Sequence, residues 1–238
     1  MNLILYYLFV YLIEAIILWL YCNRIFTSRK NTFLSLLITI GMFSLLIPVA
    51  ILTNAALNAF CSFIVYLCCI VLNYDSKPVW ALFHALALTI LMALSEGLIA
   101  AAIPDITIYA FRDGNIHSSA FTFVILSKSV YLCISQLVTR IFSKDTVNNA
   151  SIRKSTLMLY LIPVMSSIIT VSLGYICLNG KLSGSDSVIV FICLVLLLSI
   201  NILTFYLQQD ISQKTVEYAR LQIELQKETD NEHYYNYA

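Results

Sequence analysis

Charge is scarce in this chain. Of its 238 residues 11% are Asp, Glu, Lys or Arg, 60% are hydrophobic, and the mean hydropathy is +0.86. A soluble domain carries about 25% charged residues, because its surface needs polar cover. The shortage excludes a soluble enzyme and a disordered chain. The formal net charge is only +1. Phosphate binding needs a basic surface, so no nucleic-acid partner is expected. Cysteine pairing motifs are missing too. Cys22, Cys61, Cys68, Cys69, Cys133, Cys177 and Cys193 are odd in number, form no CxxC, and lie in or at the edge of apolar runs. They read as small hydrophobes rather than a disulfide framework, with a metal or redox site as the alternative. No HExxH, GxSxG, paired Asp at catalytic spacing or glycine-rich phosphate loop occurs. No cofactor, metal or catalytic residue is therefore expected.

What the chain does have is apolar runs near the 20 or so residues that cross a bilayer as a helix. Seven stand out: Leu3–Tyr21, Thr32–Leu52, Ala55–Leu72, Val79–Ile103, Ala120–Phe142, Thr156–Leu178 and Val188–Tyr206. The expected fold is all-α, a polytopic membrane bundle of about seven spans. The first run has no basic leader and no small-residue cleavage site, so it reads as a retained span rather than a signal peptide. Lys and Arg in loops resist translocation. Eleven of them fall in loops one, three and five and the tail, and two, Arg112 and Lys181, fall on the other side. This split predicts a multi-pass cell-membrane protein with its N-terminus outside and its C-terminus in the cytoplasm. Trp19 and Trp80 then lie near the cytoplasmic interface, where indoles favour the headgroup level. No loop is long enough for a catalytic domain.

Glu14, Glu96 and Lys128 lie inside the spans. An ionised group at the bilayer centre costs about 2.5–3.5 kcal/mol on insertion scales, so such groups face the bundle interior and find partners. Glu96 and Lys128 lie at similar depth, about 10 and 12 Å below the outer end of neighbouring helices. They form the first-choice pair. Glu14 is deeper and either competes for Lys128 or holds a proton. Spacings of three, four and seven align Tyr7, Tyr11, Glu14, Leu18 and Tyr21 on one helix face, Lys128, Tyr131, Ser135 and Thr139 on another, and Pro163, Ser167, Thr170 and Gly174 on a third. Two readings of these stripes stay open. They are interhelical contacts made of small and hydroxyl residues, or they line a polar cavity, open to the outer side, that binds a ligand or passes an ion. Pro48 and Pro163 each remove a backbone hydrogen bond and should kink their helices. His84 reads as a packed interfacial residue.

After Gly184 there is neither glycine nor proline up to Ala238, so the last span can continue as one helix into the cytoplasm. Leu207, Ile211, Lys214, Tyr218, Leu221 and Leu225 follow heptad spacing with one charged core position. Asp210 with Lys214 and Arg220 with Glu224 add i,i+4 support. The tail (207–238) therefore reads as a cytoplasmic coiled coil appended to the bundle (1–206), and as the seam of a homodimer.

In layout the chain resembles the membrane sensor region of quorum-sensing histidine kinases of the accessory-gene-regulator type, bacterial two-component sensors of the GHKL class. The resemblance is carried by the short-looped spans, by the Leu161-Ile162-Pro163 step before a Ser-rich helix, and by a last span running into a charged coiled coil. The segment Glu224–Tyr237 (ELQKETDNEHYYNY) looks like the stretch before that family's phosphoacceptor helix. The resemblance implies an input domain for an extracellular peptide or small ligand. The family's phosphoacceptor His is followed by an acidic residue, and soon by Lys, Arg or Asn and a second His. Here His233 is followed by Tyr234 and Tyr235, and no ATP-binding box is present. The expectation is a sensor separated from its kinase domain, unable to phosphorylate by itself. The alternative is a small multi-pass transporter or channel that uses Glu14, Glu96 and Lys128. A membrane-embedded enzyme ranks last.

Overall fold

The computed structural model describes residues 3–52, 55–104, 118–141, 161–179 and 184–237. Within them the chain is an all-α bundle. The helices are α1 (Leu3–Ile25), α2 (Thr32–Ser44), α3 (Ile47–Ile51), α4 (Ala55–Asn73), α5 (Pro78–Ala102), α6 (Ser118–Ile141), α7 (Leu161–Asn179) and α8 (Gly184–Tyr237). Two strands of two residues, β1 (Thr27–Ser28) and β2 (Tyr74–Asp75), pair antiparallel with Thr27 opposite Asp75.

Five helical stretches are long and apolar enough to cross a membrane: Leu3–Ile25, Thr32–Ile51, Pro78–Ala102, Ser119–Ile141 and Ser185–Asp230. Their outward faces are apolar as well. Leu5, Leu8, Leu12 and Ile16 of α1 are exposed, as are Val188, Ile189, Ile192 and Leu196 of α8. In water such rows of exposed side chains would drive aggregation. In lipid they match the solvent. The protein is accordingly membrane-associated. Helix α4 and the described part of α7 are apolar but shorter by the same measure. The basic residues Arg112, Lys144, Arg153, Lys154 and Lys181, and the start of the sixth apolar run at 156–160, lie outside the described residues.

Helix α5 is the axis of the bundle. It contacts α4, α6, α7 and α8, and 56% of its most apolar stretch is buried, against 28–33% for the other four stretches. Trp80, Phe83, His84, Leu88, Leu91 and Leu94 are all buried on it. Helix α1 packs on α2, α3 and α6. Its polar stripe faces inward: Tyr11, Glu14, Leu18 and Tyr21 are buried, and Tyr7 is half-buried.

The β1–β2 pair ties the α1–α2 connection to the α4–α5 connection. The Arg29 amide donates to the Asn73 carbonyl at 2.9 Å, and Arg29 Nε donates to Asp75 Oδ1 at 2.6 Å. Both connections thus lie at one end of the bundle, so α2, α3 and α4 form a single excursion away from that end and back. Nearby, His84 is fully buried, with its Nδ1 2.8 Å from the Tyr21 hydroxyl. Its ring lies among Phe26, Trp80 and Phe83. Trp19 Nε1 donates to the Thr32 carbonyl at 3.3 Å.

Ahead of Pro48 the α-helical ladder is interrupted. Helix α2 ends at Ser44, and the Leu45 and Leu46 amides donate three residues back, to Met42 and Phe43. Helix α3 then starts with Pro48 in its first turn. A prolyl nitrogen has no hydrogen for the Ser44 carbonyl, and its ring crowds that carbonyl, so the ladder tightens and restarts one turn earlier. Pro163 lies in the first turn of the described part of α7. The carbonyl it would leave unpaired lies outside the described residues.

Candidate functional site

Three helices bring charge to one point. Lys128 of α6 reaches between α1 and α5, and its Nζ is 2.5 Å from Glu14 Oε1 and 2.5 Å from Glu96 Oε1. One ammonium holds both carboxylates at once, where the spacing argument had them compete. Local sequence explains the meeting. Glu96 lies six residues from the end of α5, about 9 Å, and Lys128 ten residues from the start of α6, about 15 Å, at the same end of adjacent helices. Glu14 comes from the middle of α1, which packs on α6.

The three groups differ in access. The side chains of Lys128 and Glu14 are each 3% exposed, and that of Glu96 is 40% exposed. Two carboxyl groups share one ammonium. Glu14 Oε2 is buried and has no hydrogen-bond partner. A carboxylate oxygen left so is costly in a low-dielectric interior.

An aromatic wall surrounds the cluster. Tyr6 lies within the electrostatic reach of Glu96 and Lys128. It packs edge-on against Tyr7, with centroids 5.3 Å apart, and against Phe121, 5.7 Å apart. Tyr7 stacks on Tyr11, and the Tyr11 hydroxyl donates to Asn58 Oδ1 of α4 at 2.8 Å. Tyr131 is fully buried one turn along from Lys128, near the Tyr66 hydroxyl and in the field of Glu14 and Lys128. Ser135 is one further turn away and does not join the cluster; its hydroxyl donates to the Leu132 carbonyl of its own helix at 2.9 Å.

The other buried hydroxyls mostly bond within their own helix. Thr39, Ser95, Thr170 and Thr204, and the half-buried Thr89, each donate to the carbonyl four residues back. This satisfies a hydroxyl in lipid without a second helix. Further cross-helix polar contacts come from asparagine. Asn201 of α8 donates to Ser166 Oγ of α7 at 2.6 Å, and Asn73 donates to Thr39 at 3.4 Å. Asn73 and Asn201 were not singled out in the sequence. The signal at Asn201 was an amide inside an apolar run, which is costly unless paired; Asn73 lies just past the third run. The surroundings of Ser167 and Gly174 on this helix are outside what is described.

Helix α8 is continuous for 54 residues, about 80 Å. Its first half packs on α5 and α7. Leu194 seats against Gly97, and the Phe205 ring meets Phe83 edge-on at 5.6 Å. Further on, Gln208, Gln209 and Ser212 are still buried. The positions of the heptad seam lie on another face: Leu207, Ile211, Tyr218, Leu221 and Leu225 are all exposed. The Lys214–Asp210 and Arg220–Glu224 pairs form at 2.9 and 3.3 Å.

Among the described residues no three His, Cys, Asp or Glu side chains are grouped to hold a metal. No family model matches the chain, and neither a curated protein nor a solved structure is significantly similar to it. The site must be read from its own chemistry: a buried ion cluster with one face open, next to a helix that runs from the bundle into a free, apolar-striped rod.

Proposed function

We propose that this chain is the membrane input part of a signal receptor, laid out like the sensor region of an accessory-gene-regulator-type histidine kinase. It takes an extracellular peptide or small ligand at the end where Glu96 and Lys128 lie. It passes the event through α8 to a paired cytoplasmic tail. In this reading the apolar runs make seven crossings, with the N-terminus outside and the tail inside, as the distribution of Lys and Arg suggests. Phosphoryl transfer would belong to whatever output the tail serves.

The single observation that carries the reading is the form of α8. One uninterrupted helix contacts the bundle through Leu194 and Phe205 and then presents Leu207, Ile211, Tyr218, Leu221 and Leu225 to the outside. A rigid element anchored on α5 converts a shift in the bundle into a shift of the tail. An apolar heptad stripe with no partner among the described residues is the seam a second copy would cover.

Cysteine scanning from Leu207 to Leu225, in a chain freed of its native cysteines, tests this in membranes. Disulfide crosslinks should peak at the seam positions and fall between them. A flat pattern, or none, would overturn the coupled-dimer reading. A reporter fused after Ala238 should behave as cytoplasmic.

The Glu14–Lys128–Glu96 cluster is the observation that favours a second reading, a small transporter or channel, since intramembrane charges mark ion paths. Seven runs do not divide into equal inverted repeats, which weighs against it. Flux into vesicles that is lost on joint neutralisation of Glu96 and Lys128 would favour transport over reception.

A further inference from the structure

The tail of α8 carries one charge inside its apolar seam. Leu207, Ile211, Tyr218, Leu221 and Leu225 are exposed, and Lys214 stands among them at the same spacing of three and four. The Lys214 side chain is 62% exposed, and its Nζ donates to Asp210 Oδ2 of the same helix at 2.9 Å. The lysine is therefore neutralised within its own chain and needs no acid from a partner. Counted at about 100° per residue, the buried Phe205, Gln208 and Ser212 centre about 130° from the seam. The seam thus faces away from the chain's own bundle and is open to a second copy.

The flanks of a coiled-coil seam set orientation. Asp210, Glu217 and Glu224 repeat every seven residues on one side of it, and Thr215, Gln222 and Thr229 on the other. In a parallel pair each flank faces the opposite flank of the second copy, so acid meets a hydroxyl or an amide. In an antiparallel pair like flanks meet, and acid faces acid. Two copies inserted in a membrane the same way also send out their tails parallel. The core lysine then decides register and strand number. In register, the two Lys214 side chains share one layer, and each leaves sideways to water where its Asp210 lies. A slip of seven residues sets each lysine against Leu207 or Leu221 of the other copy, and a third strand closes the side exit. A charge enclosed by leucines is costly. A single lysine in a coiled-coil core fixes register and strand number in this way, at a cost in stability.

We propose that Lys214, held by Asp210, restricts the α8 tails to a parallel, in-register pair of two copies and keeps that pair reversible. This rests on the paired-tail reading and deepens it by naming the residue that sets the geometry of the pair. The lysine layer divides the seam into a block beside the bundle, Leu207 and Ile211, and a block beyond it, Tyr218, Leu221 and Leu225. A seam loosened at that layer responds to a small shift of α8, where an unbroken apolar seam would stay locked.

The test uses the full chain in density-matched detergent micelles. Sedimentation equilibrium gives copy number and Kd. Disulfide crosslinking of mixed chains carrying Ile211→Cys or Tyr218→Cys, in a cysteine-free background, gives register. The chain with Lys214 should be a reversible dimer in which like positions crosslink and position 211 does not crosslink to 218. Lys214→Met, of similar length, should tighten association roughly tenfold and bring either species larger than two or the mixed 211–218 crosslink. Asp210→Asn should weaken the pair when Lys214 is present and have no effect in the Lys214→Met chain. A Lys214→Met chain that stays an in-register dimer would reduce the lysine to a plain stability cost and overturn the proposal. So would an unchanged or weaker Kd, or an equal effect of Asp210→Asn in both chains. Those results leave the paired tail standing. A chain with Lys214 that forms neither dimer nor seam crosslink would instead remove the paired-tail reading itself, and this proposal with it.

Discussion

Leu194 of α8 sits over Gly97 of α5, where an added β-carbon would lie 3.2 Å from Leu194 Cδ1. That is a close approach between the central helix and the long rod, and it falls one residue from Glu96 of the ion cluster. Gly97→Ala needs only a small movement of a flexible leucine tip. The helix gains about 1 kcal/mol of propensity from the change, which offsets the crowding. Thermal unfolding in detergent should move little. Gly97→Leu cannot be fitted without parting the two helices, and overpacking costs about 1–3 kcal/mol. It should lower the unfolding midpoint, and Leu194→Ala in the same chain should restore part of the loss. If Gly97→Leu is as stable as the wild type, the helices are not in this contact.

The cluster predicts an order of sensitivity. Lys128→Met leaves two carboxylates facing one another, one of them fully buried, and removal of one partner from a buried pair costs about 3–5 kcal/mol. Glu14→Gln keeps the shape and leaves Lys128 paired with Glu96, so it should cost less. Glu96→Gln should cost least, because that side chain is the least buried of the three. Unfolding of the three variants in one detergent checks the order. The double change Lys128→Met with Glu14→Gln should recover stability relative to Lys128→Met alone. Failure to recover would mean that the two groups do not share one site.

Tyr74, in the short strand outside the apolar helices, gives a pH prediction. Its hydroxyl donates to Asn23 Oδ1 and accepts from Ser35 Oγ, both at 3.2 Å. Burial raises its phenol above the ordinary tyrosine range. The native state therefore keeps a proton that the unfolded chain gives up. Stability from this group is complete below the unfolded value, near pH 10, and is lost as pH climbs above it. Tyr74→Phe should flatten that alkaline decline. At neutral pH it should cost about 1 kcal/mol for the lost hydrogen bonds. An unchanged alkaline slope in Tyr74→Phe would count against it.

Asn201 predicts how α7 is held to α8. Its amide donates to Ser166 Oγ at 2.6 Å and to its own Leu197 carbonyl at 2.8 Å. Asn201→Leu removes the cross-helix bond, and such bonds in membrane proteins average about 0.6 kcal/mol. The effect on unfolding should be small. Proteolysis of the segment joining α7 to α8 should quicken more clearly than proteolysis elsewhere. Equal protease rates at both places would argue that packing alone holds the pair.

How much of this was legible in the residues varies with the kind of contact. Long apolar runs announce helices, because lipid leaves the backbone no other partner than itself. The missing glycine and proline after Gly184 announce an unbroken α8, since nothing in that stretch interrupts the ladder. Pro48 marks a disturbance in the second run, read as a kink within one helix, where the structure ends α2 at Ser44 and starts α3 at Ile47. Glu14, Glu96 and Lys128 are conspicuous for the same reason that they are costly.

Partner choice was a different matter. Depth along a helix can be counted in residues, and it brought Glu96 level with Lys128. Rotation about the helix axis cannot be counted so well when every face is apolar, because a lipid-facing leucine and a buried one look alike in a sequence. Helix rotation and approach in three dimensions put Glu14 on the second side of Lys128, turned Tyr11 to Asn58, closed β1 on β2, and laid Leu194 on Gly97. The composition alone settled that this chain is helical and lives with lipid. Which side chains meet was decided only by packing, since each such contact joins residues far apart in the chain and depends on every helix between them.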